Sequence, residues 1–189
     1  FREALNLAED MIAQFRSPEG GFHDTPIDHE PLLVRPGDTQ DNATPSGSAL
    51  AAGALLQLAA LEGRQEWRTV AETLLASAKA DMLRYPTAFS QWLCAADFAA
   101  GPIFEVAIIG EPDHPGTKSL MDTLWNEWRP NIVAAASSWP PSAGHPKLLD
   151  DRPLQKELPT AYVCSGFSCQ QPVNTTGELE NQLRDSTAL

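Results

Sequence analysis

The sequence predicts a mainly α-helical chain that closes with a small α/β layer, and three observations carry that prediction. Apolar residues recur at helical spacing in four separate stretches of the first hundred residues. After Gly101-Pro102 the pattern changes to short apolar runs rich in β-branched residues. A Thr175-x-x-Glu178 capping box then marks the start of one more helix. The chain accordingly divides into a helical-hairpin region over 1–100 and an α/β region over 101–189.

Residues 3–16 read as an amphipathic helix with Leu5, Ala8, Met11, Ile12 and Phe15 on one stripe. It stops at Ser17-Pro18-Glu19-Gly20-Gly21, because the residue before a proline is pushed out of the helical region and paired glycines favour a turn. Residues 22–45 are polar and proline-bearing and form a long loop, and a connection of that length is more often functional than a mere spacer. In the helix over 46–62, Leu50, Leu55, Leu56, Leu58 and Leu61 wrap widely enough to bury much of the circumference. Trp67, Val70, Ala71, Leu74, Leu75, Ala78 and Met82 make the cleanest helical stripe in the chain. The connector Glu62-Gly63-Arg64-Gln65 is short, so these two helices should pack as an antiparallel hairpin. Pro86 breaks the stripe, and 87–99 form a fourth helix with Phe89, Trp92, Leu93, Ala96 and Phe98, Cys94 lying on its apolar, core side.

Residues 103–109 then read as a strand. A helix over 117–128 follows, with Leu120, Met121, Leu124, Trp125 and Trp128 inward, and 131–136 form a second strand. This is a βαβ unit, which predicts a parallel pair joined by a right-handed crossover. The proline-rich stretch 137–159 reads as a surface excursion, 160–164 as a third strand, and the last helix turns Leu179 and Leu183 inward.

Length and composition narrow the function. A chain of 189 residues buries one good core, or one core and a small satellite. Five Trp and seven Phe within 42% hydrophobic content make it globular, and no run approaches the roughly 18 uninterrupted apolar residues of a membrane span. A net charge of -12 and a pI near 4.6 argue against nucleic acid and anionic membrane surfaces as partners, leaving protein partners and neutral or cationic small molecules. Three cysteines, an odd number in a chain too long to need disulfide staples, point to a reducing compartment and hence to the cytoplasm. Phe1 is no translation start, and a helical stripe is already running by Leu5, so we expect the chain to begin inside a larger protein.

Five sequence blocks occur in a telling order. They are Gly20-Gly21-Phe22 with Asp24-Thr25, Leu33-Val34-Arg35-Pro36, the stretch Asp41-Asn42-Ala43-Thr44-Pro45-Ser46-Gly47, Gly101-Pro102 before a strand, and Ala161-Tyr162-Val163-Cys164 with Cys169-Gln170 and Pro172. Together they resemble the C-terminal part of the uncharacterised thioredoxin-domain-containing protein family, whose helical part is related to six-hairpin glycosidases and N-acylglucosamine 2-epimerases. The resemblance covers most of the chain. It implies that 1–100 is a partial (α/α) toroid, the end of an (α/α)6-type ring that four helices cannot close alone. The earlier hairpins and a thioredoxin-like domain would lie upstream and act as partners of this portion. It also implies binding of, or action on, carbohydrate at one mouth of the ring. One departure is visible: the family usually has Asn and then Ser after Pro-Ser-Gly, whereas here Ser48 follows Gly47 directly.

Under that resemblance the catalytic candidates are Asp41, Asp24 and His23. Glycoside hydrolysis needs two carboxyl groups roughly 5 to 9.5 Å apart, and Asp24, Glu30, Asp38 and Asp41 all lie in the long loop. In an epimerase-like reaction His23 would move protons as general acid and base. The competing reading is structural: Asp38 and Asp41 solvate the loop, or Asp41 and Ser46 satisfy free N–H groups where the helix begins. His23-Asp24 and His29-Glu30 offer metal-ligand types, but nothing fixes their geometry, and no metal is assigned. Gly110-Glu111-Pro112-Asp113 would repel phosphate and lacks a nucleotide fingerprint, so strand-to-helix packing is its plain reading and no cofactor is expected. Trp67, Trp92, Trp125 and Trp128 fall on core-like positions, leaving Trp139 at the surface.

Cys164 and Cys169 form a Cys-x4-Cys pair, wider than the Cys-x-x-Cys of redox sites, which fits buried structural thiols or a reversible disulfide. Three functions follow. A carbohydrate enzyme requires convergent carboxylates in an open cavity, a noncatalytic scaffold or interaction module requires carboxylates bonded to backbone, and a thiol-redox role requires an accessible Cys164–Cys169 disulfide. Apolar surface left by absent hairpins predicts self-association, into a homodimer or into aggregates.

Overall fold

The computed structural model describes residues 1–18, 20–30, 32–166 and 168–185. The chain divides into two compact units, Phe1–Ala59 with Arg64–Ala100, and Ala60–Gly63 with the residues from Gly101 onward. Among the described residues no helix is long and apolar enough to cross a membrane.

The first unit is helical. It contains α1 (Arg2–Phe15), most of α2 (Gly47–Glu62), α3 (Gln65–Arg84) and α4 (Ser90–Ala100), with a 3-10 turn at Pro86–Ala88 between the last two. α2 buries Ala49, Ala51, Ala52, Leu55, Leu56 and Ala59, so small residues as well as leucines face its neighbours and the wide burial predicted for it is observed. Leu50, expected inward, is half exposed because it stands opposite that face. The α3 stripe is buried at every predicted position from Trp67 to Met82. Its main helical contact is with α4 rather than with α2, so the sequence neighbour across the short connector is not its main partner. α4 starts three residues later than expected, since Pro86 initiates a separate 3-10 turn that takes up Thr87 and Ala88. Trp92, Ala95 and Phe98 then form its inner face, and this rotation puts Cys94, expected in the core, at the surface.

The second unit is a mixed four-stranded sheet in the order β2-β1-β3-β4, built from β1 (Phe104–Ile109), β2 (Ile132–Ser137), β3 (Thr160–Ser165) and β4 (Ser168–Cys169). β1 and β2 are parallel and joined through α5 (Pro115–Trp125), the predicted βαβ arrangement, while β3 runs antiparallel to both β1 and β4. On one face Val106, Ile108, Ala161 and Val163 pack with Leu120 and Leu124 of α5 and with Leu179 and Leu183 of α6 (Thr176–Asp185). The forward half of the capping box opening α6 is formed, Glu178 N donating to Thr175 Oγ1 at 3.4 Å, and the Thr175 hydroxyl donates to Glu178 Oε2 at 2.6 Å.

Two expectations for this unit are corrected. Trp125 and Trp128 are 61% and 88% exposed, because α5 ends at Trp125 and the helical period that predicted an inward Trp128 does not reach it. The 137–159 stretch is more than a surface excursion. Its 3-10 turn Lys147–Leu149 buries Leu148 and Leu149 and lies against β1 and β2. Gly110, where β1 turns toward α5, is a place of close approach: a Cβ there would collide with Thr117 Oγ1 and press on Pro159. Gly110→Ala should therefore cost about 1–3 kcal/mol through overpacking. Leu179→Ala, emptying a fully buried site, should cost about 2–5 kcal/mol, whereas Leu93→Ala at an exposed site should stay within about 1 kcal/mol. Urea denaturation of the three variants checks this order.

Candidate functional site

The long loop after α1 is folded back on itself by its own backbone. His23 N donates to Phe15 O at 2.8 Å, and Asp24 N donates to Pro36 O at 2.8 Å, so residues 23–24 lie against 36–38. The Arg35 guanidinium donates to Thr25 O and, at 3.4 Å, to Gln14 O, tying the return strand of the loop to the end of α1. A Cβ at Gly37 would approach Phe22 O at 2.9 Å, which explains a glycine at that crossing.

This geometry decides what the carboxylates touch. Asp24 Oδ2 accepts from Asp38 N at 3.2 Å, and Asp38 in turn accepts from Gln40 N and from Asn42 Nδ2. Asp41 is more committed. Its Oδ1 accepts from Ser46 N at 2.9 Å and its Oδ2 from Gln91 N at 2.8 Å, so both oxygens serve backbone donors. Ser46 is the N-cap of α2, its Oγ accepting from Ala49 N at 3.1 Å, and Gln91 lies in the first turn of α4. One carboxylate thus bridges two helix starts, where free N–H groups and the helix dipole both favour negative charge. Asp41 N also donates to Ala88 O, and Trp92 Nε1 donates to Thr39 O at 2.7 Å. The half-buried His23 imidazole has no hydrogen bond among the described residues.

A shallow depression of ≈ 400 Å³ lies beside this loop, lined by residues including Thr39, Gln40, Asp81, Tyr85, Thr87 and Phe89. Neither His23, Asp24 nor Asp41 lines it. No group of three or more His, Cys, Asp or Glu residues positioned to hold a metal ion occurs among the described residues.

A second cluster, of which the sequence singled out only Cys164 and Cys169, stands on the other unit. Directly opposed residues of antiparallel strands share a face, so the pairs Glu105–Cys164 and Ala107–Tyr162 lie on the side away from α5 and α6. Cys164 is also opposite Cys169 of β4, and the two are joined in a disulfide. The pair is therefore not the two buried free thiols that its wide spacing favours: Cys164 is 2% exposed, while Cys169 on the short outer strand is open to solvent. Arg152 reaches over them. Its Nη1 lies 2.9 Å from Cys164 Sγ and 3.8 Å from Cys169 Sγ, and its Cζ stands 5.5 Å from the centre of the Tyr162 ring. The Tyr162 hydroxyl donates to Pro153 O and accepts from Gln155 Nε2, fixing the ring beneath the guanidinium.

Burial shapes the charges here. It raises the Glu105 carboxyl above its ordinary value, and the positive charge of Arg152 opposes that rise without cancelling it. Burial likewise lowers the Arg152 pKa, while Glu105 and Tyr162 oppose the fall. Besides the cysteine pair, the one sequence signal was Glu105, a charged residue inside the otherwise apolar strand Phe104–Ile109. Arg152 gave none, because the stretch carrying it has no periodic pattern.

Two predictions follow from these contacts. Asp41→Ala leaves two helix-terminal N–H groups without acceptors and should cost about 2–4 kcal/mol in urea denaturation, against under about 1 kcal/mol for Asp24→Ala. Glu105 has a folded-state pKa above its ordinary value of 4.5, so the folded protein binds the proton more tightly than the unfolded chain. Its contribution is complete below pH 4.5 and is lost as pH rises through the raised pKa. Glu105→Gln should flatten that part of the stability–pH curve, measured by thermal denaturation across the range.

No family model matches the chain. It is homologous to Spermatogenesis-associated protein 20, being 29% identical to the human protein over 156 residues, 26% to the rat protein over 155 and 25% to the mouse protein over 185. These alignments cover 80%, 80% and 95% of this chain but 20%, 20% and 23% of the relatives. The chain thus spans about a fifth of the length of the curated relatives it matches.

Proposed function

We propose that this chain is a noncatalytic structural module of a longer thioredoxin-domain-containing protein, and that its long loop closes a helical layer rather than cutting sugar. The observation that supports this reading is Asp41, whose two carboxylate oxygens both accept backbone N–H groups at helix starts. A carboxylate held this way is poorly placed to act as nucleophile or base, because leaving the N–H groups would cost both helices their caps. Asp24 is likewise turned to the backbone of Asp38, and the nearby depression excludes both residues together with His23.

The partner in this reading is the rest of the same polypeptide, in the setting that the resemblance implies: upstream hairpins of an (α/α) toroid and a thioredoxin-like domain, in the cytoplasm. Ile27, Leu32, Leu33 and Val34 present apolar side chains from the loop, with Leu33 fully exposed, and they are the surface such a neighbour would cover.

Carbohydrate binding is the reading to be tested against. Calorimetric titration of the intact protein with a panel of mono- and oligosaccharides, alongside hydrolysis assays on aryl glycosides, should show neither saturable binding nor turnover. Saturable sugar binding that Asp24→Asn or His23→Ala abolishes, with stability unchanged, would overturn the proposal and restore Asp41, Asp24 and His23 as site residues.

A further inference from the structure

We infer that the Cys164–Cys169 disulfide is a thiol–disulfide exchange site for a dithiol, in which Arg152 holds the leaving Cys164 thiolate. Three features of the second unit carry this. The first is unequal access: Cys169 is exposed on the two-residue strand β4, and Cys164 is 2% exposed on β3. An incoming thiolate therefore meets Cys169 Sγ, and Cys164 Sγ is the group that leaves. The second is the placement of charge. The Arg152 guanidinium is 2.9 Å from Cys164 Sγ and 3.8 Å from Cys169 Sγ, so it favours negative charge on the sulfur that departs. Burial of Cys164 and the Glu105 carboxylate act the other way. Arg152 is the charge in direct contact with the departing sulfur, at 2.9 Å. The third is the backbone. Asp151, at φ 54, puts a left-handed residue immediately before Arg152, and aspartate is among the side chains that tolerate that conformation.

The chemistry balances as exchange. A partner thiolate attacks Cys169 Sγ; the new partner–Cys169 S–S bond forms as the Cys164–Cys169 bond breaks, and the electron pair leaves on Cys164 as a thiolate beside Arg152. Cys164 stands directly across from Cys169, so with a monothiol it returns the attack and expels the partner. A dithiol escapes this reversal, because its own second thiolate attacks the mixed disulfide. Cys169 is then released as a thiolate, and the partner ends oxidised while Cys164 and Cys169 end reduced. The substrate class is accordingly a dithiol rather than a monothiol. The loop that the bond closes is short, at a sequence separation of 5, so opening it frees little chain and the sheet survives the reaction.

The test uses the intact protein carrying Cys94→Ser, which removes an exposed thiol outside the site. The oxidised protein is treated with dithiothreitol or with 2-mercaptoethanol at matched thiol concentration. Peptide-resolved differential alkylation reads Cys164 and Cys169, and near-UV circular dichroism reports the fold. We expect dithiothreitol to reduce the pair with the fold retained, and the monothiol to leave its trace adduct on Cys169. Arg152→Met should shift the equilibrium toward the disulfide on the order of tenfold, about 30 mV for a two-electron couple, and Arg152→Lys should recover part of it. Reduction that requires denaturant, a monothiol adduct on Cys164, or an Arg152→Met variant titrating as wild type would each overturn the inference. If Arg152→Met does not fold, the position of the monothiol adduct in the unsubstituted protein decides.

Discussion

The helical unit depends on one carboxylate. Helix starts carry N–H groups that no turn of the helix can satisfy, and in the first unit two such starts are brought within reach of the same side chain. Asp41 supplies an oxygen to each, and its own N–H fastens the loop to Ala88 at the turn before α4. The indole of Trp92, buried in the first turn of α4, completes the attachment by donating to Thr39 O. What looks in sequence like an unstructured polar connection is thereby a strut. Three of its carboxylates, Asp24, Asp38 and Asp41, accept from backbone donors, and a carboxylate so engaged must leave those donors to act on anything else.

The same physics explains what could be read from the sequence. Periodicity located α3 residue by residue, and the capping box located α6, because each is a local rule acting over a few neighbours. Strands β1, β2 and β3 were visible as short β-branched runs. Local rules failed where termination or rotation of a helix was at stake: Pro86 delayed α4 and turned Cys94 outward, and α5 ended before Trp128. They failed more fully at the Arg152 cluster. Glu105, Arg152, Tyr162, Cys164 and Cys169 meet only because β1 and β3 are paired and the 138–159 stretch folds over that pair, and neither fact is written in a window of sequence. For the loop carboxylates, sequence supplied the residues and two competing uses, and geometry brought the structural use into view.

The sheet of the second unit is asymmetric in a way that matters for chemistry. One face is closed by α5 and α6 with apolar side chains, while the other holds a half-buried guanidinium, a half-buried carboxyl and the sulfurs. Charges held away from bulk water act on one another more strongly than surface charges do, so small rearrangements there carry large electrostatic consequences. A cross-link that closes so short a loop contributes only about 2 kcal/mol by chain entropy, well below what long-range staples provide. Its presence is thus weakly motivated by stability alone.

The strand order also bears on how this unit is made. β1 is central, yet its antiparallel neighbour β3 is synthesised only after α5, β2 and the whole 138–159 stretch. Until β3 leaves the ribosome, β1 has one hydrogen-bonded edge open, and Val106 and Ile108 lack the cover of Val163, Ala161 and α6. Pairings that span so much chain form slowly, and an open apolar edge is where nascent chains stick to one another. The nascent chain is therefore most vulnerable late in translation of this unit, and the cysteines meet only after that interval, as the final strands dock.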